Sequence, residues 1–139
     1  MLKGAKLKVR KSTIIFGHAV VGWALCGAVV WAGNALVDME TALLAHAMAV
    51  PLIFAGVAWN YHKQFGYTTP TQTACLFLAV VVLLDIFLVA LLIERSFAMF
   101  QSIVGTWIPF ALIFAATYLT GRVLQSPNRA DVKRIPGGR

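Results

Sequence analysis

Residues Thr73 to Ile93 read TACLFLAVVVLLDIFLVALLI, twenty-one residues with one acid, Asp85, near the middle. A helix rises ~1.5 Å per residue, so about twenty residues cross the ~30 Å hydrocarbon core of a bilayer. Inside that core the backbone must satisfy its own polar groups, which leaves the helix as the natural form of a single span. An aspartate at the centre of such a helix costs on the order of 2.5–3.5 kcal/mol. The rest of the chain has to shelter that carboxyl.

Three other apolar runs are long enough to join it. The spans are expected at about 13–33, 41–60, 73–93 and 97–120, giving an all-α fold, an integral membrane antiparallel bundle of four transmembrane helices. The composition agrees: 60% of residues are hydrophobic and 12% charged, where soluble domains carry about 25% charged residues. At 139 residues the chain accommodates one domain. It divides into a basic N-terminal segment (1–12), the transmembrane domain (13–121) and a basic, flexible C-terminal tail (122–139). A basic start before an apolar run can be a signal peptide. The run from Thr13 to Gly33 is too long for one, and no A-x-A site follows it, so a retained first span is expected.

Local signals set the boundaries. Gly33-Asn34 suits the end of helix 1, and Asp38 can cap helix 2. Pro51 and Pro109 are expected to kink helices 2 and 4. Thr69, Pro70 and Gln72 spell a capping box with proline at the first helical position. Glu94-Arg95-Ser96 reads as a minimal connector between helices 3 and 4, and Gly121 as the stop of helix 4.

Charge orients the bundle. The tails and the loop between helices 2 and 3 hold 11 of the 12 basic residues, and the two opposite loops hold only Arg95 with three acids. The positive-inside rule then places both termini in the cytoplasm of a cytoplasmic (inner) membrane. The net charge of +7 is explained by orientation and by anionic lipid rather than by nucleic acid. Trp23, Trp31, Trp59, Tyr61 and Tyr118 read as interfacial or lipid-facing aromatics.

Small and weakly polar stripes mark the inward faces, because lipid supplies no hydrophobic drive for helix association. On helix 1 the stripe is His18, Gly22, Cys26 and Gly33. On helix 2 it is Ala42, His46, Ala49, Gly56 and Asn60, and on helix 4 Ser102, Thr106 and Thr117. Counting ~1.5 Å per residue from the basic ends puts Cys26, His46, Asp85 and Trp107 in one layer. The expected path for a proton, ion or substrate is therefore Asp85, His46, Thr106, Trp107 and Cys26, with His18 and Asn60 secondary and Asp85 within reach of His46. Buried ionisable groups in spans often mark such paths.

Other chemistries are thinner. Cys26, His46 and Asp85 could in principle hold a metal, and a single histidine could ligate haem. No cofactor is specified. Cys26 and Cys75 lie too far apart in depth for a disulfide, and His62 reads as a solvated interface residue. No phosphate loop, HExxH or serine–histidine–acid arrangement occurs. Three functions stay open. The leading one is movement of a small solute or ion with proton linkage, which favours a homo-oligomer because four packed helices leave no pore. The others are a non-catalytic subunit or assembly factor among other membrane subunits, and a membrane enzyme or cofactor carrier.

Overall fold

A computed structural model describes residues 2–125 of the chain; of the tail expected at 122–139, residues 122–124 belong to the last helix and 126–139 lie outside the described residues. Four helical rods run antiparallel. α1 spans Leu2–Leu36, α2 Met39–Gln64 and α3 Pro70–Leu84; α3 continues as a π-helix over Asp85–Ile93. A short 3-10 turn, Ala98–Gln101, and a second π segment, Ile103–Trp107, lead into α4, Ile108–Leu124. Each of the four rods is long and apolar enough to cross a membrane, and the α3 rod is the most apolar. No strand occurs among the described residues. The protein is a multi-pass, all-α membrane protein.

The termini of these elements follow the side chains. Asp38 accepts the Thr41 amide at the start of α2. Thr69 and Gln72 form the reciprocal capping box of α3. α2 passes through Pro51 without ending. α1 begins well before Thr13: its 35 residues make a rod of ~52 Å at ~1.5 Å per residue, so its exposed basic end must project past a ~30 Å core.

The link from the third rod to the fourth differs from the three-residue connector expected. It runs from Glu94 to Ser102, with Arg95 in the left-handed region at φ 51°. Polar side chains turn back onto its own backbone and hold it open. Thr106 Oγ1 donates to Met99 O at 2.7 Å, and Trp107 Nε1 to Phe100 O at 2.9 Å. Ser102 Oγ accepts the Gly105 amide at 2.9 Å and so caps the following segment. Pro109, in the first turn of α4, starts that helix rather than kinking it.

Around the bundle, α1 lies beside α2 and α3, and α4 also lies beside α2 and α3. The pairs α1/α4 and α2/α3 are diagonal. Large side chains close the centre across the α2/α3 diagonal: Phe54 and Tyr61 of α2 meet Phe77 of α3, ring centroids 6.2 and 6.0 Å apart, and all three are fully buried.

This filling corrects the stripe expected on α2. Its inward face is Ala42, His46, Val50, Phe54, Val57, Ala58 and Tyr61, while Gly56 and Asn60 are exposed. Small residues do their packing on the opposing helices. A Cβ on Gly22 of α1 would lie 2.8 Å from the Phe54 ring, so Gly22 is the hollow that receives Phe54. Gly121 is a second hollow rather than a stop: α4 continues to Leu124, and a Cβ there would lie 2.8 Å from both His62 Nε2 and Pro70 Cβ.

Candidate functional site

Asp85 sits where α3 changes to π geometry; its amide is shared between the Val81 and Val82 carbonyls. The partner of its carboxyl is on α1. Trp23 Nε1 donates to Asp85 Oδ1 at 2.8 Å. Asp85 and Trp23 are half-buried, and Trp23 packs against the apolar core. Among the described residues no basic side chain pairs with Asp85, and Oδ2 has no side-chain hydrogen bond.

The Asp85–His46 pair expected from depth does not form. α2 and α3 face each other across the diagonal, whose centre is filled. A short carboxylate on α3 reaches an adjacent helix more readily, and α1 is adjacent. By sequence Trp23 reads as interfacial or lipid-facing, since it lies off the small-residue stripe. The signal that could have found it is chemical: an indole N–H inside a membrane needs an acceptor, and Asp85 is the acid at matching depth.

His46 is nonetheless buried, and its Nδ1 has no hydrogen-bond partner among the described residues. The backbone carbonyl of Cys26 on α1 lies near its ring. Cys26 is itself buried, and Asp85 lies within electrostatic range of its thiol. Thus α1 mediates the layer: Trp23 faces Asp85 on one flank, and Cys26 faces His46 on the other.

Thr106 is buried, but its hydroxyl is committed to Met99 O. Trp107 does not join the layer; it is 57% exposed on the outer surface, its indole N–H on Phe100 O. Cys75 is exposed and Cys26 buried, both free thiols. Among the described residues, no three of His, Cys, Asp and Glu come together to hold a metal ion, so the Cys26–His46–Asp85 metal reading lacks its geometry.

The secondary residues lie toward the other end. His18 Nδ1 donates to Ile14 O at 2.8 Å, and its ring packs edge-on against Tyr61 and Phe65. Asn60 is exposed, and together with His18 it lines an open groove between α1 and α2. His62 is half-buried rather than solvated: Gln125 Nε2 donates to its Nδ1 at 3.1 Å and to Thr68 O at 3.1 Å. Nearby, Thr73 Oγ1 donates to Thr69 O, which leaves it to accept from Thr68, and Thr68 to accept from Tyr61. That directional relay ties the ends of α2 and α3 together. No protein-family model, curated protein or solved structure matches the chain.

Proposed function

We propose that this multi-pass membrane protein moves a small solute or ion with proton linkage, and that Asp85 is the group that takes up and releases the proton or cation. One observation carries the reading: a carboxyl in the middle of the most apolar rod is held by one neutral donor, with no cation beside it among the described residues. A carboxylate can accept about four hydrogen bonds. The Trp23 N–H can donate to Oδ1 in either protonation state, which fixes the side chain and leaves Oδ2 to exchange. A buried acid serving only as glue would be better closed by several donors. The start of a π segment at the same residue supports the reading, since such segments are frequent at functional sites.

The aromatic filling of the centre argues for a path along an interface in a homo-oligomer rather than through one chain. The same filling favours a second reading, a non-catalytic subunit of a larger membrane complex. The basic asymmetry supports cytoplasmic termini in an inner membrane; reporter fusions at Arg139 and after Glu40 test that arrangement.

The direct test is proton flux into proteoliposomes under an imposed potential, read with an internal pH dye. Wild type should acidify the lumen faster than protein-free vesicles. Asp85→Asn should fold and fall to the protein-free rate, and Trp23→Phe should shift the pH dependence. Wild-type flux equal to that of empty vesicles, or flux untouched by Asp85→Asn, removes the reading. A monomer in mild detergent that co-purifies with other membrane subunits would favour the second.

A further inference from the structure

The groove between α1 and α2 is set apart from the Asp85 layer. It encloses ≈ 660 Å³ and is lined by Thr13, Gly17 and His18 on α1 and by Leu52, Gly56 and Asn60 on α2, among others. This volume is in the range of sites that hold a small molecule, ~300–1,000 Å³. Its walls are apolar along most of their length, and two glycines make its floor. A Cβ on Gly17 or Gly56 would meet nothing within 4 Å. Neither glycine is filled by the described residues, in contrast to Gly22 and Gly121, so the hollow lies open on the side of the bundle's surroundings.

Polarity and charge gather at one end. Thr13, His18 and Asn60 lie at the end of the groove that faces the basic terminus of α1. Arg10, Thr13 and Gly17 are three and four residues apart, and so are Gly56, Asn60 and Lys63, so Arg10 and Lys63 continue the two walls beyond the polar residues. Lys11 joins them from the side. Its Nζ lies 5.0 Å from the centre of the Tyr67 ring, and Tyr67 packs on Phe65, which lines the groove. Lys63 Nζ lies 5.2 Å from the Trp59 ring centre, one turn from Asn60. The acids of the described chain other than Asp85, namely Asp38, Glu40 and Glu94, are all at the opposite end. Among the described residues the mouth is therefore cationic with no local counter-charge.

We propose that this groove binds an anionic phospholipid of the surrounding leaflet, with an acyl chain along Gly17, Leu52 and Gly56 and the phosphate headgroup at Arg10, Lys11 and Lys63. An apolar trough lying parallel to the helix axes fits a hydrocarbon chain. A mouth of three cations at the depth where helices leave the membrane fits the headgroup of that same molecule. Each Lys or Arg near a lipid surface favours an anionic headgroup by roughly fivefold. Bound there, the lipid covers the seam between α1 and α2.

Native mass spectrometry of the purified full-length protein tests this, with phosphatidylglycerol and phosphatidylcholine of identical chains as the two probes. The wild type should retain one phosphatidylglycerol per chain in preference to phosphatidylcholine. The double variant Arg10→Gln, Lys63→Gln should lose most of that preference, roughly fivefold per charge. Gly56→Leu has room in the folded protein and should reduce retention of both lipids, because its side chain occupies the trough. Equal retention of the two lipids by wild type, or retention unchanged by Gly56→Leu, overturns the proposal. So does a disulfide-linked dimer at full yield from Gly56→Cys, which would show a second copy in the groove. The charge variants leave Asp85 untouched, so proton flux can fail while lipid selectivity stands.

Discussion

The two ends of this bundle are built in opposite ways. At the Tyr61 end the helices are regular, polar side chains hand hydrogen bonds to one another in a fixed order, and Gly121 lets α4 close on His62 and Pro70. At the opposite end the third rod loosens into π geometry from Asp85 onward, and the chain crosses back through a nine-residue link. Buried polar atoms without a partner among the described residues occur toward both ends: His46 Nδ1 in the Asp85 layer, and His62 Nε2 and Thr117 Oγ1 toward the Tyr61 end. A bundle stabilised at one end can keep a polar, irregular layer at the other, which is where exchange with a solute or proton would need slack.

The contrast can be broken most forcefully at Gly121. Gly121→Leu would push a side chain into Pro70, whose backbone is fixed at the first turn of α3, with Pro70 Cα only 3.1 Å from the added Cβ. Overpacking of this kind costs about 1–3 kcal/mol, so the melting temperature in detergent should fall clearly. Gly56→Leu, where space is open, should leave it nearly unchanged. If both melt alike, the close seat of Gly121 against Pro70 does not hold that end together.

Asp85→Leu should have a smaller effect on stability. It strands the Trp23 N–H at a cost of about 1 kcal/mol, since hydrogen bonds between membrane helices are modest. Trp23→Phe in the same background should recover most of the loss, and a double-mutant cycle in denaturant reads the coupling directly. Additive effects would mean that the 2.8 Å contact contributes nothing.

Tyr61→Phe removes the first donor of the relay and leaves Thr68 short of a partner. It should cost about 0.5–1.5 kcal/mol. Thr68→Ala should cost less when combined with Tyr61→Phe than the sum of the two single changes, because both cut the same chain of hydroxyls.

The smallest effect lies at Asp38, outside the spans. The Thr41 amide and hydroxyl both donate to its carboxylate and hold its pKa below the ordinary carboxylate value. The folded pKa is lower than the unfolded one, so the cap's contribution is fully present above the unfolded pKa and is lost as pH falls through the folded value. Thermal melts followed by circular dichroism should show a slight loss in strong acid that Asp38→Asn, which caps without a charge, abolishes. An Asp38→Asn curve with the wild-type acid limb would place that loss elsewhere.

The sequence by itself determined the class and the rods. Span length, the cost of unsatisfied backbone in lipid, and local caps are properties of consecutive residues. Thr13 to Gly33 therefore had to be helical, and Thr69-Pro70-Gln72 had to start α3 with the capping box seen. The tertiary structure alone decided which helices are neighbours. Depth is one coordinate, and the azimuth of each helix depends on how its large side chains pack against the others. Phe54, Tyr61 and Phe77 took the centre, which turned Gly56 and Asn60 outward and placed α2 diagonal to α3. That arrangement separated Asp85 from His46 and gave it Trp23 on α1. The irregular link from Glu94 to Trp107 was also beyond local reading. Its shape depends on Thr106 and Trp107 reaching carbonyls seven residues back, contacts that only the folded chain brings together.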